Sequence, residues 1–233
     1  MKEIVAQKIL AESKSNYDLI AKTWDQTRKN IWPEMNDFKN YLKSGDRILD
    51  AGCGNGRLVK ALEGLDVKYV GVDNSSELVA LAKSNFLGYD FFVSDFLKTD
   101  FADNSFDAIF CLAALHHIPS GQKRNQAIGE FKRLLKPGGN LFMLNWHYSC
   151  PGFAMLFLRY TLSKILGKSE LDFGDIYVSW QKNKIKRFVH LFSKYGLKKM
   201  LKKNGFKTER NFISKPSPRG YKNIVTIAKR SKN

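Results

Sequence analysis

The stretch Asp50-Ala51-Gly52-Cys53-Gly54-Asn55-Gly56 decides the fold. It follows a short apolar run, Arg47 to Ala51, and precedes a helical pattern. Glycines at such a turn allow positive φ angles and let the backbone approach a ligand closely. A dinucleotide fingerprint would need a further glycine three residues after Gly54, where Arg57 stands instead. The turn therefore predicts a ligand site at the end of a strand, and its spacing argues against NAD.

Apolar runs alternate with helical patterns on either side of the turn, which predicts βαβ units and a mostly parallel sheet. Strands are expected over 47–51, 68–73, 89–93, 106–112 and 140–145. Ser120 is placed to cap a helix that Lys136-Pro137-Gly138-Gly139 ends. After residue 150 we expect a helix over 152–166, a polar connection over 172–186, a helix from Ser193 to Asn204, and strands over 206–212 and 223–229.

Three acidic residues at strand ends suit a ligand that carries an amino acid, a ribose and an adenine. Asp50 inside the turn suits an ammonium group, and Asp73 at the end of the second strand suits two ribose hydroxyls. Asp95 after the third strand suits an adenine amino group, with Phe96 or Leu112 covering the ring.

In this order and spacing, the motifs of residues 45–147 resemble those of the class I S-adenosylmethionine-dependent methyltransferases. The resemblance implies an α/β, Rossmann-like fold with a seven-stranded, mostly parallel sheet, an antiparallel C-terminal hairpin and helices on both faces. It implies S-adenosylmethionine as cofactor, bound by Tyr17, Asp50, Gly52, Gly54, Asp73, Asn74, Asp95, Phe96 and Leu112. We expect one domain over 1–233: a helical cap (1–44), the cofactor core (45–147), a substrate-side insertion (148–192), and a final helix with hairpin (193–233).

The flanks are similar to the tRNA wobble-uridine methyltransferases, which esterify a carboxymethyl group on the uridine at the first anticodon position. The resembling blocks are Tyr17…Ala21…Thr27-Arg28…Trp32-Pro33, His116-His117 with Arg124, and Arg187…His190-Leu191-Phe192. The resemblance also implies a small activator protein at the edge of the third strand, Asp90 to Val93. Coverage of that edge by the chain's own N-terminal helix is the alternative that we favour from the sequence.

The chemistry of a carboxylate acceptor fits the residues near these blocks. A carboxylate is ionised at neutral pH and needs orientation rather than a strong base. Arginine binds a carboxylate through two parallel hydrogen bonds, and Arg28, Arg124 and Arg187 are the candidates. We expect Arg28, His116 and Arg124 to position the acceptor, with His116 facing it and His117 packed beneath. Purely structural roles for both histidines stay open, and their adjacent spacing predicts no metal site.

The net charge of +17 is concentrated in the second half of the chain. Residues 120–233 carry 25 basic and 5 acidic side chains, whereas residues 51–119 carry 5 and 9. This asymmetry indicates an anionic partner, and we expect tRNA to bind through Lys182, Lys184, Lys186, Arg187, Lys198, Lys199, Lys202 and Lys203. The alternatives are a lipid or quinone-precursor methyltransferase on a membrane surface, a non-catalytic cofactor-binding RNA-binding module, and a merely solvated lysine-rich face.

The apolar windows and the cysteines of the sequence indicate in which cellular compartment the protein works. No window of 18 apolar residues and no signal-peptide pattern occurs, so integral membrane insertion and secretion are not expected. The three cysteines form no CxxC pair, which fits a reducing cytoplasm.

Overall fold

The computed structural model describes residues 1–149, 152–180, 185–217 and 220–232. Its α-helices are α1 (Glu3–Gln26), α2 (Pro33–Phe38), α3 (Leu58–Leu62), α4 (Ser76–Asn85), α5 (Gly121–Leu134), α6 (Phe153–Ile165) and α7 (Lys194–Lys203). Its strands are β1 (Arg47–Ala51), β2 (Lys68–Asp73), β3 (Asp90–Val93), β4 (Phe106–Leu112), β5 (Leu135–Trp146), β6 (Asp175–Trp180), β7 (Ile185–His190), β8 (Phe206–Ile213) and β9 (Asn223–Arg230). Short 3₁₀ helices lie at Lys39–Tyr41 and Leu115–His117.

Seven strands form one sheet in the order β3-β2-β1-β4-β5-β9-β8. Strands β1 to β5 pair in parallel, and β9 runs antiparallel to both of its neighbours. The predicted Rossmann-like sheet with its C-terminal hairpin is confirmed. The carboxyl ends of the five parallel strands meet at one edge of the sheet, where ligands bind in such folds.

The sheet is covered on both faces, because alternate residues of a strand point to opposite sides. In β4, Ile109 and Cys111 join a cluster with α5 and α7, while Phe110 and Leu112 join the cluster that holds α2, α3 and α4. Burial on both faces explains why the central strands read as almost continuous apolar runs.

Two serines begin helices as the sequence predicts. The Ser120 hydroxyl accepts a hydrogen bond from the Lys123 amide at the start of α5, and that of Ser193 accepts one from the Gly196 amide at the start of α7. Each cap satisfies a backbone donor that the helix itself leaves unpaired.

The segment expected to be a polar connection is instead an antiparallel hairpin of β6 and β7. Its apolar side chains divide between two small clusters, with Ile176 and Val189 packing against α6 and Phe188 packing against α1. Each face of this hairpin buries only a few side chains, and lysines lie between them in the sequence. The alternation of apolar and polar residues that marks a strand is therefore not evident. The structure also starts β5 at Leu135, five residues before the predicted strand.

Strand β3 forms one edge of the sheet, and the N-terminal helix does not cover it as expected. Helix α1 packs against α4 and β7 instead. Phe91 is buried, whereas Phe92 and Val93 are 47% and 55% exposed. Within the described ranges, no helix has the length and apolar character required to cross a bilayer.

Candidate active site

The glycine turn follows β1 and tolerates no side chain at two positions. Gly52 and Gly54 both have positive φ, at +79° and +56°. A Cβ on Gly52 would lie 2.4 Å from the Cβ of Ala114, and one on Gly54 would lie 2.9 Å from the Trp24 ring. The turn is glycine-rich because it passes closely between the end of β4 and helix α1.

Asp73, the last residue of β2, holds the turn in place. One carboxylate oxygen accepts a hydrogen bond from the Gly54 amide and the other accepts one from the Ser75 amide, each at 2.9 Å. Burial raises the pKa of Asp73, and these amide hydrogen bonds oppose the rise.

The turn opens into a cleft whose empty volume, including its mouth, is about 660 Å³. Its walls are supplied by α1, the glycine turn, the ends of β2 and β4, and the Leu115–His117 segment. They comprise Leu10, Ser13, Tyr17, Trp24, Gly52, Gly54, Arg57, Asp73, Asn74, Leu78, Phe96, Leu112, Ala113, Ala114, His117 and Ile118. Seven predicted cofactor residues are among them: Tyr17, Gly52, Gly54, Asp73, Asn74, Phe96 and Leu112.

Two predicted cofactor residues lie outside this wall. Asp50 is buried beneath the turn, where its carboxylate accepts a hydrogen bond of 2.8 Å from the Tyr69 hydroxyl. Burial raises the pKa of Asp50 to about 7. Asp95 is exposed and accepts a hydrogen bond from the Leu97 amide.

Several wall residues were not predicted from the sequence. In the sequence, Arg57 is notable only because it replaces the third glycine of the NAD fingerprint. In the structure, its guanidinium packs 3.6 Å from the centre of the Trp32 ring. Burial lowers the pKa of Arg57 to about 9. Ala113 has a φ of +59° directly after β4, and such strain outside glycine is characteristic of functional sites.

The histidine pair is arranged in the opposite order from the expected one. His117 lines the cleft, and His116 is fully buried with its ring stacked on Trp146 at 4.9 Å. The expectation that His116 faces the acceptor is therefore not met. The 3₁₀ turn after β4 directs the second ring of the pair, and not the first, toward the cleft.

Hydrogen bonds fix the tautomer of His117. Its Nδ1 lies 2.8 Å from the Phe188 carbonyl oxygen, which can only accept, so Nδ1 carries the proton. In the neutral ring Nε2 then accepts from the Tyr17 hydroxyl at 2.8 Å. Burial and the nearby Arg187 lower the pKa of His117 to about 3, so the ring is neutral at physiological pH.

Comparisons with known proteins show the family to which the chain belongs. The methyltransferase domain family matches residues 49–143. A protein of Encephalitozoon cuniculi whose name describes it as a methyltransferase is 30% identical over 195 residues, which cover 82% of this chain and 85% of that protein. The chain belongs to the S-adenosylmethionine-dependent methyltransferases.

A further relative of this methyltransferase is matched over a shorter stretch. The tRNA (carboxymethyluridine(34)-5-O)-methyltransferase alkbh8 of Xenopus tropicalis is 34% identical over 130 residues. Those residues are 56% of this chain and 20% of the Xenopus protein, so the chain spans a small part of that relative's length.

Two solved structures share the fold of the methyltransferase. An S-adenosylmethionine-dependent methyltransferase of Methanosarcina mazei superposes with a TM-score of 0.74 at 23% identity, covering 88% of this chain and all of that one. A methyltransferase in complex with the Trm112 activator of Haloferax volcanii superposes at 0.64 and 16% identity, covering 95% and 98%. At these identities the likeness concerns the fold alone.

Two of the three candidate arginines of the methyltransferase flank Trp180, and neither belongs to the cleft wall. The guanidinium of Arg28 lies 5.3 Å from the Trp180 ring centre, and that of Arg187 lies 4.6 Å from the same ring. Arg187 is 6% exposed, so it does not belong to the solvent-facing basic surface that the sequence predicts for it.

Arg124 is placed elsewhere. It is 3% exposed, donates to the Ile118 carbonyl oxygen at 3.0 Å, and lies 3.6 Å from an Asp175 oxygen that His190 also contacts. These contacts tie α5 to β6 and pair the Arg124 guanidinium with a carboxylate; like Arg28 and Arg187, Arg124 is absent from the cleft wall. Its predicted contact with the acceptor has no support in this geometry.

The other predicted tRNA contacts of the methyltransferase divide into two groups. Lys186 and four lysines of α7 are exposed, the latter being Lys198, Lys199, Lys202 and Lys203. Lys182 and Lys184 lie outside the residues that the structure describes.

Proposed function

We propose that this methyltransferase esterifies the carboxymethyl group of a modified wobble uridine in tRNA. The observation that carries the proposal is that the His117 ring has no free nitrogen, because Nδ1 donates to the Phe188 carbonyl oxygen and Nε2 accepts from the Tyr17 hydroxyl. His117, with its pKa near 3, is too weak a base to take a proton from an acceptor, and burial raises the pKa of Tyr17. An acceptor that is already ionised, such as a carboxylate, needs no base.

The cofactor roles are part of the proposal, and the presence of these residues in the cleft wall supports them. Asp73 and Asn74 hold the ribose, Phe96 and Leu112 cover the adenine, and Tyr17 contacts the amino-acid end. Bound S-adenosylmethionine supplies a methyl group on a positively charged sulfur. The chain has to align the acceptor oxygen with that methyl group and exclude water, which can supply most of the rate acceleration.

The similarity to the Xenopus tRNA methyltransferase supports an RNA substrate, and so does the charge of the chain. The lysines of α7 form a row of exposed cations on one helix. Such cations bind phosphates and release counterions, which makes the affinity depend strongly on salt.

An activator protein at the free edge of β3 is the partner that we propose. The Haloferax methyltransferase of similar fold was solved with its Trm112 activator. In this chain, the exposed Phe92 and Val93 combine an unpaired strand edge with apolar surface, which is a template for strand addition.

The first experiment measures transfer of a radioactive methyl group from S-adenosylmethionine into tRNA rich in carboxymethyluridine, at two salt concentrations. We expect alkali-labile counts, as an ester requires, that fall with salt. The Asp73→Ala variant should lose cofactor binding, whereas Arg28→Ala should keep binding and lose transfer. Alkali-stable counts, or none with the activator also supplied, would refute the ester assignment.

A second candidate function, methylation of a lipid-like acceptor at a membrane surface, is favoured by α6. Met155, Leu158, Leu162 and Ile165 form a stripe at helical spacing, and each is more than half exposed. An apolar stripe on a basic chain can lie on an anionic membrane. A parallel reaction with a lipid extract decides the matter, since counts in lipid and none in tRNA would select this candidate.

A further inference from the structure

Arg187 is a buried cation beside the cleft, and the described part of the chain supplies no counterion for it. Its guanidinium lies between 4 and 6 Å from the ring centres of Trp180 (4.6 Å) and Trp146 (5.4 Å). Among the described residues, no carboxylate lies within ion-pair distance of it, and its Nε has no hydrogen-bond partner. Arg124, which is buried to a similar degree, faces Asp175.

A buried cation without a counterion is costly, so its retention needs a reason. The two indole faces stabilise the cation through cation–π contacts, but no neighbouring group among the described residues supplies a negative charge. Both His116 and His117 have pKa values lowered by burial, and the charge of Arg187 lowers them further. The site therefore contains one positive charge surrounded by two neutral imidazoles and two indoles. An anion that binds from outside would neutralise this charge.

Arg187 lies next to two residues of the cleft wall, Tyr17 and His117, and lowers the pKa of both. His117 donates to the backbone carbonyl of Phe188, the residue after Arg187 on β7, and accepts from Tyr17. The positive charge of Arg187 lies close enough to Tyr17 to lower the pKa of the phenol, against the effect of burial. Because Tyr17 and His117 both line the cleft, Arg187 is held directly behind the wall that they form.

We propose that Arg187 binds the carboxylate of the methyl acceptor, with the indole of Trp180 packing against the acceptor's planar ring, and that Tyr17 and His117 are positioning residues for Arg187. This inference rests on the proposed function and assigns its substrate contact. It distinguishes Arg187 from Arg124, whose guanidinium faces Asp175, and from Arg28, which is less buried than Arg187.

The assignment has a consequence for turnover. As the methyl group moves, its bond to sulfur breaks, a bond to a carboxylate oxygen forms, and the positive and negative charges cancel. The neutral ester pairs more weakly with Arg187 than the carboxylate does, so the site distinguishes acceptor from product by charge.

The test measures binding to the protein saturated with S-adenosylhomocysteine, using tryptophan fluorescence. The probes are 5-carboxymethyluridine and its neutral analogue 5-carbamoylmethyluridine. We expect the wild type to bind the carboxylate at least tenfold more tightly. Arg187→Gln should abolish this preference and Arg187→Lys should keep part of it. Arg210→Gln is the matched control, since Arg210 is an exposed arginine packed 4.9 Å from the Phe212 ring.

Two further readouts separate a binding role from a structural one. Arg187→Gln removes a buried cation that lacks a counterion, so the unliganded variant should melt at the same temperature as the wild type or higher. It should also bind S-adenosylhomocysteine normally. Tyr17→Phe should raise the KM for the acceptor more than it lowers kcat.

The outcomes distinguish this inference from the proposed function. A carboxylate preference that survives in Arg187→Gln overturns the inference and leaves the proposed function intact. A wild type without any preference also overturns it, and alkali-labile methyl transfer into tRNA then decides separately whether the proposed function stands.

Discussion

Gly52 is the residue at which the backbone of the cleft is most constrained. Its φ of +79° disfavours any side chain, and a Cβ would lie 2.4 Å from that of Ala114. We expect Gly52→Ala to cost about 1–3 kcal/mol of stability and to weaken S-adenosylhomocysteine binding at least tenfold, as measured by thermal melting and calorimetry.

Gly129 provides the control for this substitution. It lies inside α5 with open space around the position of a Cβ, and its φ is ordinary. Gly129→Ala should stabilise the protein by roughly 0.5–1 kcal/mol and leave binding unchanged. Equal effects of the two substitutions would show that the turn is less constrained than its geometry indicates.

His117 should make the protein less stable in acid. Its pKa falls from 6.5 to about 3 on folding, so the unfolded chain binds a proton that the folded chain refuses. The contribution to stability is present above pH 6.5 and is lost as the pH falls toward 3. Between pH 7.5 and 5 we expect a loss of up to about 2 kcal/mol from this residue.

Urea denaturation of the wild type and His117→Gln at both pH values measures this loss. Glutamine can keep both hydrogen bonds without titrating, and the other histidines are common to both proteins. The wild type should lose more stability on acidification than the variant does. Parallel losses would assign the acid sensitivity to other groups.

At the scale of elements, β3 is the strand most exposed to pairing with another chain. Phe92→Lys places a charge on its free edge at little cost to the core, because Phe92 is 47% exposed. We expect less aggregation of the isolated chain at high concentration, measured by light scattering, with a change in stability below about 0.5 kcal/mol. Leu87→Lys, 85% exposed and outside the strand, is the control for added charge; if it suppresses aggregation equally, the edge is not responsible.

The predictable part of the fold is the part that the sequence encodes locally. The turn at Gly52 and the caps at Ser120 and Ser193 depend on a few adjacent residues, and β4 is apolar throughout because both of its faces are buried. The sequence analysis missed the β6–β7 hairpin because a few apolar contacts with α1 and α6 stabilise it. Such contacts between distant segments cannot be inferred from local composition.

The site was predictable to the same extent. Most of the predicted cofactor residues line the cleft, since they come from the turn and from the strand ends beside it. The sequence named Arg187 as one of three candidate arginines without separating them, and it did not identify His117 as the ring that lines the cleft, because that placement depends on contacts between residues 100 and 71 positions apart in the chain. Patterns in a single sequence do not reveal such contacts. Without them, the sequence cannot show which of the two adjacent histidines faces the cleft. The division of the chain into cap, core, insertion and final hairpin stays a prediction.

For the molecule as a whole, the excess of positive charge predicts how binding to tRNA responds to salt. Replacing Lys198, Lys199, Lys202 and Lys203 by glutamine should reduce the slope of log affinity against log salt by about 0.9 for each phosphate that the variant no longer neutralises. Filter binding across a salt series measures the slope.

A control with the same net charge replaces Lys8, Lys22, Lys83 and Lys98, which are exposed and lie in the less basic first half. This variant should keep a slope within about one unit of the wild type. If both quadruple variants change the slope equally, total charge governs binding and α7 is no specific contact.

Helix α1 contributes Leu10, Ser13, Tyr17 and Trp24 to the cleft, and its side chains reach across to α4 and to the glycine turn. Helix α1 therefore covers one side of the site, and hydrogen bonds of Tyr17, Asp18 and Asp25 hold it there. We expect these hydrogen bonds to slow the release of S-adenosylhomocysteine. We expect exchange to be slower than chemistry, so that rapid mixing records a burst of one product per enzyme before the steady state.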